Sequence, residues 1–291
     1  MVRPVGRFAL ILAAILAIGA SLHGLMAQTA PALRVNLADP GPVGAATTTA
    51  LFAQVAVGGG FTTTFTLLNT GSTALTGNLI LTKSDGTPMN VSLGAPSGNP
   101  SFAPSTELVV GSSTPINIPS GGTTFLTATP ANPDDYFVGW GRVESSGGTL
   151  GGVATFSLTS AGQLQAIAGV LSADVTSVAT IPVDDDVSQN RATGYAVANP
   201  GSSSITIRVV EVSADGNTIT ALSPINLDPG KQTAAFFFQD KAAAQKFRGS
   251  AVLIGQAGAT FSVVALLQVQ GATGLLYTAI PVIPAKAPNI N

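Results

Sequence analysis

The sequence contains no cysteine, and its single histidine, His23, lies near the N-terminus. Everything downstream of residue 23 therefore lacks the groups for Ser-His-Asp or Cys-His catalysis, for thiolate- or imidazole-bound zinc, and for a disulfide framework. Charge is also scarce. Only 9% of the 291 residues are charged, against about a quarter in an ordinary soluble domain. Basic residues nowhere cluster, so the electrostatic footprint of a nucleic-acid binder is missing and no nucleic-acid partner is expected. Long apolar runs are missing beyond Leu22. Pieces such as FSVVALLQV, from Phe261, fall well short of the roughly 20 residues that span a bilayer. No Gly-Lys-Ser/Thr follows the glycine-rich stretches, which excludes phosphate loops.

What is present begins with Arg3 and Arg7, then an apolar run of 15 residues from Phe8 to Leu22, then small residues at Gly24 and Ala27. This is the layout of a secretory signal peptide over residues 1–27, cleaved after Ala27 or alternatively Ala30. An uncleaved anchor is the other reading, but the run is short for a span. With Arg3 and Arg7 removed, the twelve basic residues fall to ten against fourteen acidic ones, a net charge of about −4. The expected location is secreted or periplasmic, with no membrane span after cleavage. Residues 28–48 form a leader. Within it PALRVNLA, from Pro31, alternates apolar and polar residues and fits either a first strand or a segment added to the sheet edge of another molecule.

The remaining chain spells one pattern twice. NTGSTALTGNLILTKSDG, from Asn69, recurs as NPGSSSITIRVVEVSADG, from Asn199, at an offset of 130. The match continues at an offset near 110, pairing INIPSGG (from Ile116) with INLDPGK (from Ile225) and FVGWGRV (from Phe137) with FRGSAVL (from Phe247). An extra loop in the first copy, around GAPSGNPSFAPSTELVVGS, accounts for the change of offset. The period inside each copy is two: Leu75, Leu79 and Leu81 share a face, as do Ile205, Ile207 and Val209. Asp85-Gly86 and Asp215-Gly216 read as type I′ hairpin turns. The expected fold is all-β, with two tandem Ig-like β-sandwich domains from an internal duplication, over residues 49–173 and 174–287, and a short tail at 288–291. Each copy should hold about seven to nine strands. QDKAAAQKF, from Gln239, reads as a short helical turn between sheets.

The two copies resemble tandem β-sandwich repeats found in predicted exported proteins of environmental bacteria. The shared marks are GGGFTT (from Gly58), Asn-Pro/Thr-Gly, the Asp-Gly turn, an Ile/Leu-x-Pro-x-Gly step and GWGRVE (from Gly139), covering nearly all of residues 50–285. The resemblance implies the fold and no established activity. The second copy departs from it at the GGG start, which reads DDDVSQN, and at the tryptophan.

Two clusters are candidates for binding. Trp140, Arg142 and Glu144 lie at alternate positions of one expected strand, a face able to stack a sugar ring on the indole and hold its hydroxyls. The competing reading packs Trp140 under a loop or between domains, with Arg142 and Glu144 as a solvated pair. Glu107, Glu144 and Glu211 are the only glutamates, so a two-carboxylate glycosidase would have to use one of them or an aspartate. Asp184, Asp185 and Asp186 form the only long acidic run, a possible calcium loop or, as the competing reading, a solvated and self-repelling one. An aspartic protease is excluded because Asn69-Thr70-Gly71 carries Asn in the Asp position. The reading is a non-catalytic exported structural or adhesive protein needing no cofactor, calcium aside, whose partner is a protein or polysaccharide at the cell exterior. A carbohydrate-binding or carboxylate-dependent carbohydrate-active protein built on the Trp140 face is the alternative.

Overall fold

The computed structural model describes residues 48–94, 109–271 and 274–284. The expected signal peptide, the PALRVNLA leader, most of the extra loop and the C-terminal tail lie outside them. The described chain is all-β, and its sheets are antiparallel throughout. No helix among the described residues is long and apolar enough to cross a membrane.

Residues 48–171 supply β1 (Thr48–Gly58), β2 (Phe61–Asn69), β3 (Leu75–Lys83), β4 (Val91–Gly94), β5 (Val109–Gly111), β6 (Ser113–Ile118), β7 (Thr123–Thr129), β8 (Tyr136–Ser146), β9 (Leu150–Ser160) and β10 (Gln163–Leu171). Residues 178–284 supply β11 (Val178–Asp186), β12 (Ala192–Ala198), β13 (Ile205–Ser213), β14 (Ile219–Ala221), β15 (Ile225–Leu227), β16 (Gln232–Phe236), β17 (Lys246–Gly255), β18 (Ser262–Gly271), β19 (Gly274–Ile280) and β20 (Ile283–Pro284). Each half thus exceeds the seven to nine strands expected, because very short edge strands such as β5, β14 and β20 carry no periodicity to read.

In the first half one layer runs β1-β8-β3-β6 and the other β5-β4-β7-β2-β9-β10. β1 and β2 pair only at their connecting turn, Gly58 with Phe61. The second half repeats the connectivity: β11-β17-β13 with β15 in one layer, β16-β12-β18-β19 in the other. The period-two residues form the cores. Leu75, Leu79 and Leu81 join Phe52 and Phe65, whose rings meet edge to face at 5.2 Å. Ile205, Ile207 and Val209 join Ile181, Leu253 and Phe261 in a second cluster.

The repeated Asn-x-Gly is a buried clamp. Asn69 and Asn199 are both fully buried. Asn69 Nδ2 donates to the carbonyls of Thr73 (2.7 Å) and Ile118 (3.0 Å), while Oδ1 accepts the Gly71 amide (2.9 Å). Asn199 does the same with Ser203 (2.8 Å), Leu227 (3.1 Å) and Gly201 (3.0 Å). One amide thereby ties the end of a strand, the turn after it and a distant strand end together, satisfying backbone groups that no ladder reaches.

Two local expectations are corrected. The Asp-Gly turns are not type I′, because only Gly86 (φ 88°) and Gly216 (φ 76°) are left-handed, and their aspartates are not. Asp215 caps its turn by accepting from Ser213 Oγ and Asn217 N, which lowers its carboxyl to about 2. The second turn joins a hairpin of two strands, β13 with β14, whereas after the first the chain folds back along β3 only from Thr87 to Met89 before it crosses to the opposite layer, where β4 pairs β7. QDKAAAQKF is not helical along its length. A single 3₁₀ turn covers Phe237–Gln239, bends follow, and β17 begins at Lys246.

Replacing Asn199 by Ala strands two carbonyls and an amide in a buried corner. Urea unfolding should show a loss of about 2–4 kcal/mol, while Ala at the exposed Asn217 should cost about 0.5 kcal/mol.

Candidate functional site

Trp140, Arg142 and Glu144 do share the outer face of β8, as their spacing predicts. The opposite positions explain the flanking glycines. A Cβ at Gly141 would press on Leu81 and Phe65, and one at Gly139 would strike the backbone of Thr82 on β3. The outer face, however, is covered. Trp140 is 1% exposed, and its Nε1 donates to the carbonyl of Gly230, in the turn before β16, at 2.7 Å. The Arg142 guanidinium lies 5.7 Å from the indole centroid and its Nε donates to Glu144 Oε1 at 2.6 Å. No ring face of Trp140 is free to stack a sugar, and the arrangement is the one in which the tryptophan packs between the halves beside a half-exposed ion pair, not the alternative carbohydrate face.

Around Trp140 lies a polar lock that sequence reasoning missed. Gln232, at the start of β16, is 4% exposed. Its amide donates to the Ser84 carbonyl (3.1 Å), and its Nε2 donates to Gln54 Oε1 (2.8 Å) and to the Ala53 carbonyl (3.2 Å). Ser84 Oγ in turn donates to Gln232 Oε1 at 2.8 Å. The Asp-Gly turn of the first half and the Pro229-Gly230 turn of the second touch here, with a Gly86 Cβ position 3.3 Å from the Pro229 carbonyl. The available signal was hydropathy without alternation. LFAQVAV in β1, YAVA in β12 and SVVALL in β18 are apolar on both faces, the mark of strands covered on both sides. In β1 a register shift between Phe52 and Val55 lets Phe52, Val55 and Val57 enter the first core.

The acidic run is strand, not loop. Asp184, Asp185 and Asp186 close β11, so their side chains alternate between faces and do not converge. Asp184 receives Arg191 Nη1 (2.6 Å) and Arg248 Nε (2.9 Å); burial opposes ionisation, but the two guanidiniums outweigh it and hold the carboxyl below its ordinary value. Asp186 accepts from Ser188 Oγ at 2.6 Å and pairs with Lys246 at 3.0 Å, and its carboxyl is likewise lowered. Among the described residues no three carboxylates or imidazoles are grouped to hold a metal.

Asp185 points inward and is 1% exposed, with Oδ1 accepting the Thr193 amide at 2.6 Å. Glu211 on β13 also faces the interior, 2% exposed. Asp185 Oδ2 and Glu211 Oε1 are buried with no hydrogen-bond partner among the described residues. Burial lifts Asp185 to about 6. Burial, then the negative charges of Asp185 and Asp240, lift Glu211 to about 7. Both carboxyls thus resist ionisation in this corner of the second core.

The seam also holds an apolar cavity of about 120 Å³, open to solvent on one side, between β1, β9 and β10 of the first half and β12, β16 and β18 of the second. Ala56, Phe156 and Ala168 face Ala196, Ala234 and Val264 across it.

No protein-family model, curated protein or solved structure matches the chain.

Replacing Trp140 by Phe keeps most of the seam contact and removes the bond to Gly230, so calorimetry should show a loss of about 1–2 kcal/mol, against about 3–5 kcal/mol for Trp140→Ala. The Glu211 pKa is raised on folding, so its stabilising contribution is complete below its ordinary value of 4.5 and is lost as pH rises through about 7. At about 1.4 kcal/mol per pH unit, the Glu211 contribution to stability should fall by about 3 kcal/mol between pH 4.5 and 8, with Asp185 adding to the same slope below about pH 6. In Glu211→Gln that slope should flatten, leaving the variant more stable than the parent at pH 8 by urea titration.

Proposed function

We propose that this chain is a non-catalytic, exported structural protein of the cell exterior or periplasm, built from two tandem Ig-like sandwiches that arose by duplication of residues 49–173 and 174–287. The duplication is supported by the shared strand connectivity and by the matched Asn69 and Asn199 clamps. Export is supported by the N-terminal sequence, and the same motifs support membership in the tandem-repeat family. A non-catalytic role is supported by a sequence without histidine or cysteine after residue 23.

One observation carries the proposed mode of action: the outer edge of β10. β10 is nine residues long and pairs only with β9. It has no charge and no proline, and Leu164, Ile167 and Leu171 are 60%, 54% and 73% exposed along it. Among the other edges, β6 carries Pro115, β5 and β14 have three residues each, and β1 is buried under the second half, while β19 is uncharged like β10 but two residues shorter and has Leu276 exposed at 60%. Unpaired amides and carbonyls on an open edge recognise another strand, and proteins that must avoid this block the edge with charge, proline or brevity. β10 carries none of these, and its uncharged side chains offer an identical strand no repulsion. The partner in this reading is a second copy, pairing β10 against β10 about a two-fold axis.

Sedimentation velocity from about 1 to 100 μM should show reversible association, the range expected of a small edge contact. Leu171→Lys should weaken it at least tenfold with melting unchanged. A parent chain that stays monomeric throughout, or a variant that associates equally well, removes the reading.

A further inference from the structure

We infer that the cavity in the seam is a binding site for an uncharged hydrocarbon group. β10 contributes Ala166, Ile167 and Ala168 to its rim, but its core walls are Ala56 and Phe156 from the first half and Ala196, Ala234 and Val264 from the second. Protein interiors seldom keep voids larger than a water molecule, because leucine or phenylalanine in place of alanine would fill them. Here three of those five walls are alanines facing one another across two packed layers.

The chemistry of the lining excludes polar occupants. Its polar side chains are few, and two of them are engaged: Gln54 Oε1 accepts from Gln232, and the Tyr277 hydroxyl donates to Gln268 Oε1 at 3.0 Å. A trapped water needs two to four polar partners and finds few in so apolar a lining, whereas a dry apolar cavity of about 150 Å³ takes benzene. The 120 Å³ here suits a guest of that size or the end of an aliphatic chain. Access is open. Ile167 is 54% exposed at the rim, and Phe236 and Tyr277 are half-buried beside it. A charged headgroup would stay outside, since no cationic or anionic side chain lines the space.

The test is a titration of the full chain with 1-hexanol, read by methyl NMR of Ala196, Ala234 and Val264. A second arm uses dihexanoyl phosphatidylcholine, to distinguish a free small hydrocarbon from a lipid chain. Saturable shifts at these methyls are expected in the first arm; their appearance in the second as well would assign a lipid source. Ala196→Leu should fill the space and weaken binding at least tenfold. Because Trp140 is the only tryptophan and is buried in the same seam, unchanged blue-shifted emission shows that the halves remain docked. Ala56→Leu repeats the filling from the opposite wall should Ala196→Leu shift that emission. Absence of saturable shifts in the parent chain overturns the inference, as does a filled, docked variant that binds within twofold of it.

Discussion

The structure depends on a mismatch between two layers. In the first half a six-stranded layer faces a four-stranded one, so the undersides of β9 and β10 extend past the edge strand β1. Phe156, Leu158 and Val170 lie on that overhang, 7% exposed or less. Left open, each such side chain would forgo about 1.5–3 kcal/mol of burial. The second half supplies the cover. The outer face of its β12 and β18 enters the corner, and Ala196, Ala198 and Val264 join the core cluster of the first half. Each half still has its own interior, since Ile181, Val209 and Phe261 belong to a separate cluster. The two cores are distinct clusters that meet at this seam.

That geometry explains which parts of the sequence were legible. Alternation reports a strand with one wet face, so Leu75 to Leu81 and Ile205 to Val209 could be placed directly. A strand covered on both faces loses its period. β1, β12 and β18 therefore looked merely apolar, and the contact they build could not be read. Trp140 kept two readings for the same reason. Its spacing with Arg142 and Glu144 gave the correct face of β8, but the cover comes from Gly230, 90 residues away, which no local pattern announces.

The acidic run was misread through propensity. Aspartate is depleted in strands, and three in a row suggest a loop. The cations that make the strand tolerable arrive from elsewhere: Arg191 from the residue just before β12, which lies in the opposite layer, and Arg248 and Lys246 from β17, which pairs β11 directly. Asn69 and Asn199 show the converse. The repeated Asn-x-Gly was visible as a motif, but its turn-like composition concealed full burial, because an asparagine amide can replace backbone partners on three separate segments at once.

The seam joins two kinds of contact with different consequences. At one end Gln54, Gln232, Ser84 and Trp140 form directional bonds, which fix the relative orientation of the halves because a slip of one residue would leave buried donors and acceptors unpaired. At the other end small apolar side chains meet without directional demands and leave unfilled space. An interface secured wholly by apolar packing would tend to close such a gap by sliding, since dispersion rewards contact. The hydrogen-bonded end prevents that slide. The polar lock, and not the lining itself, is what keeps the void open: rigidity at Gln232 is the physical condition for an unfilled pocket beside Ala196.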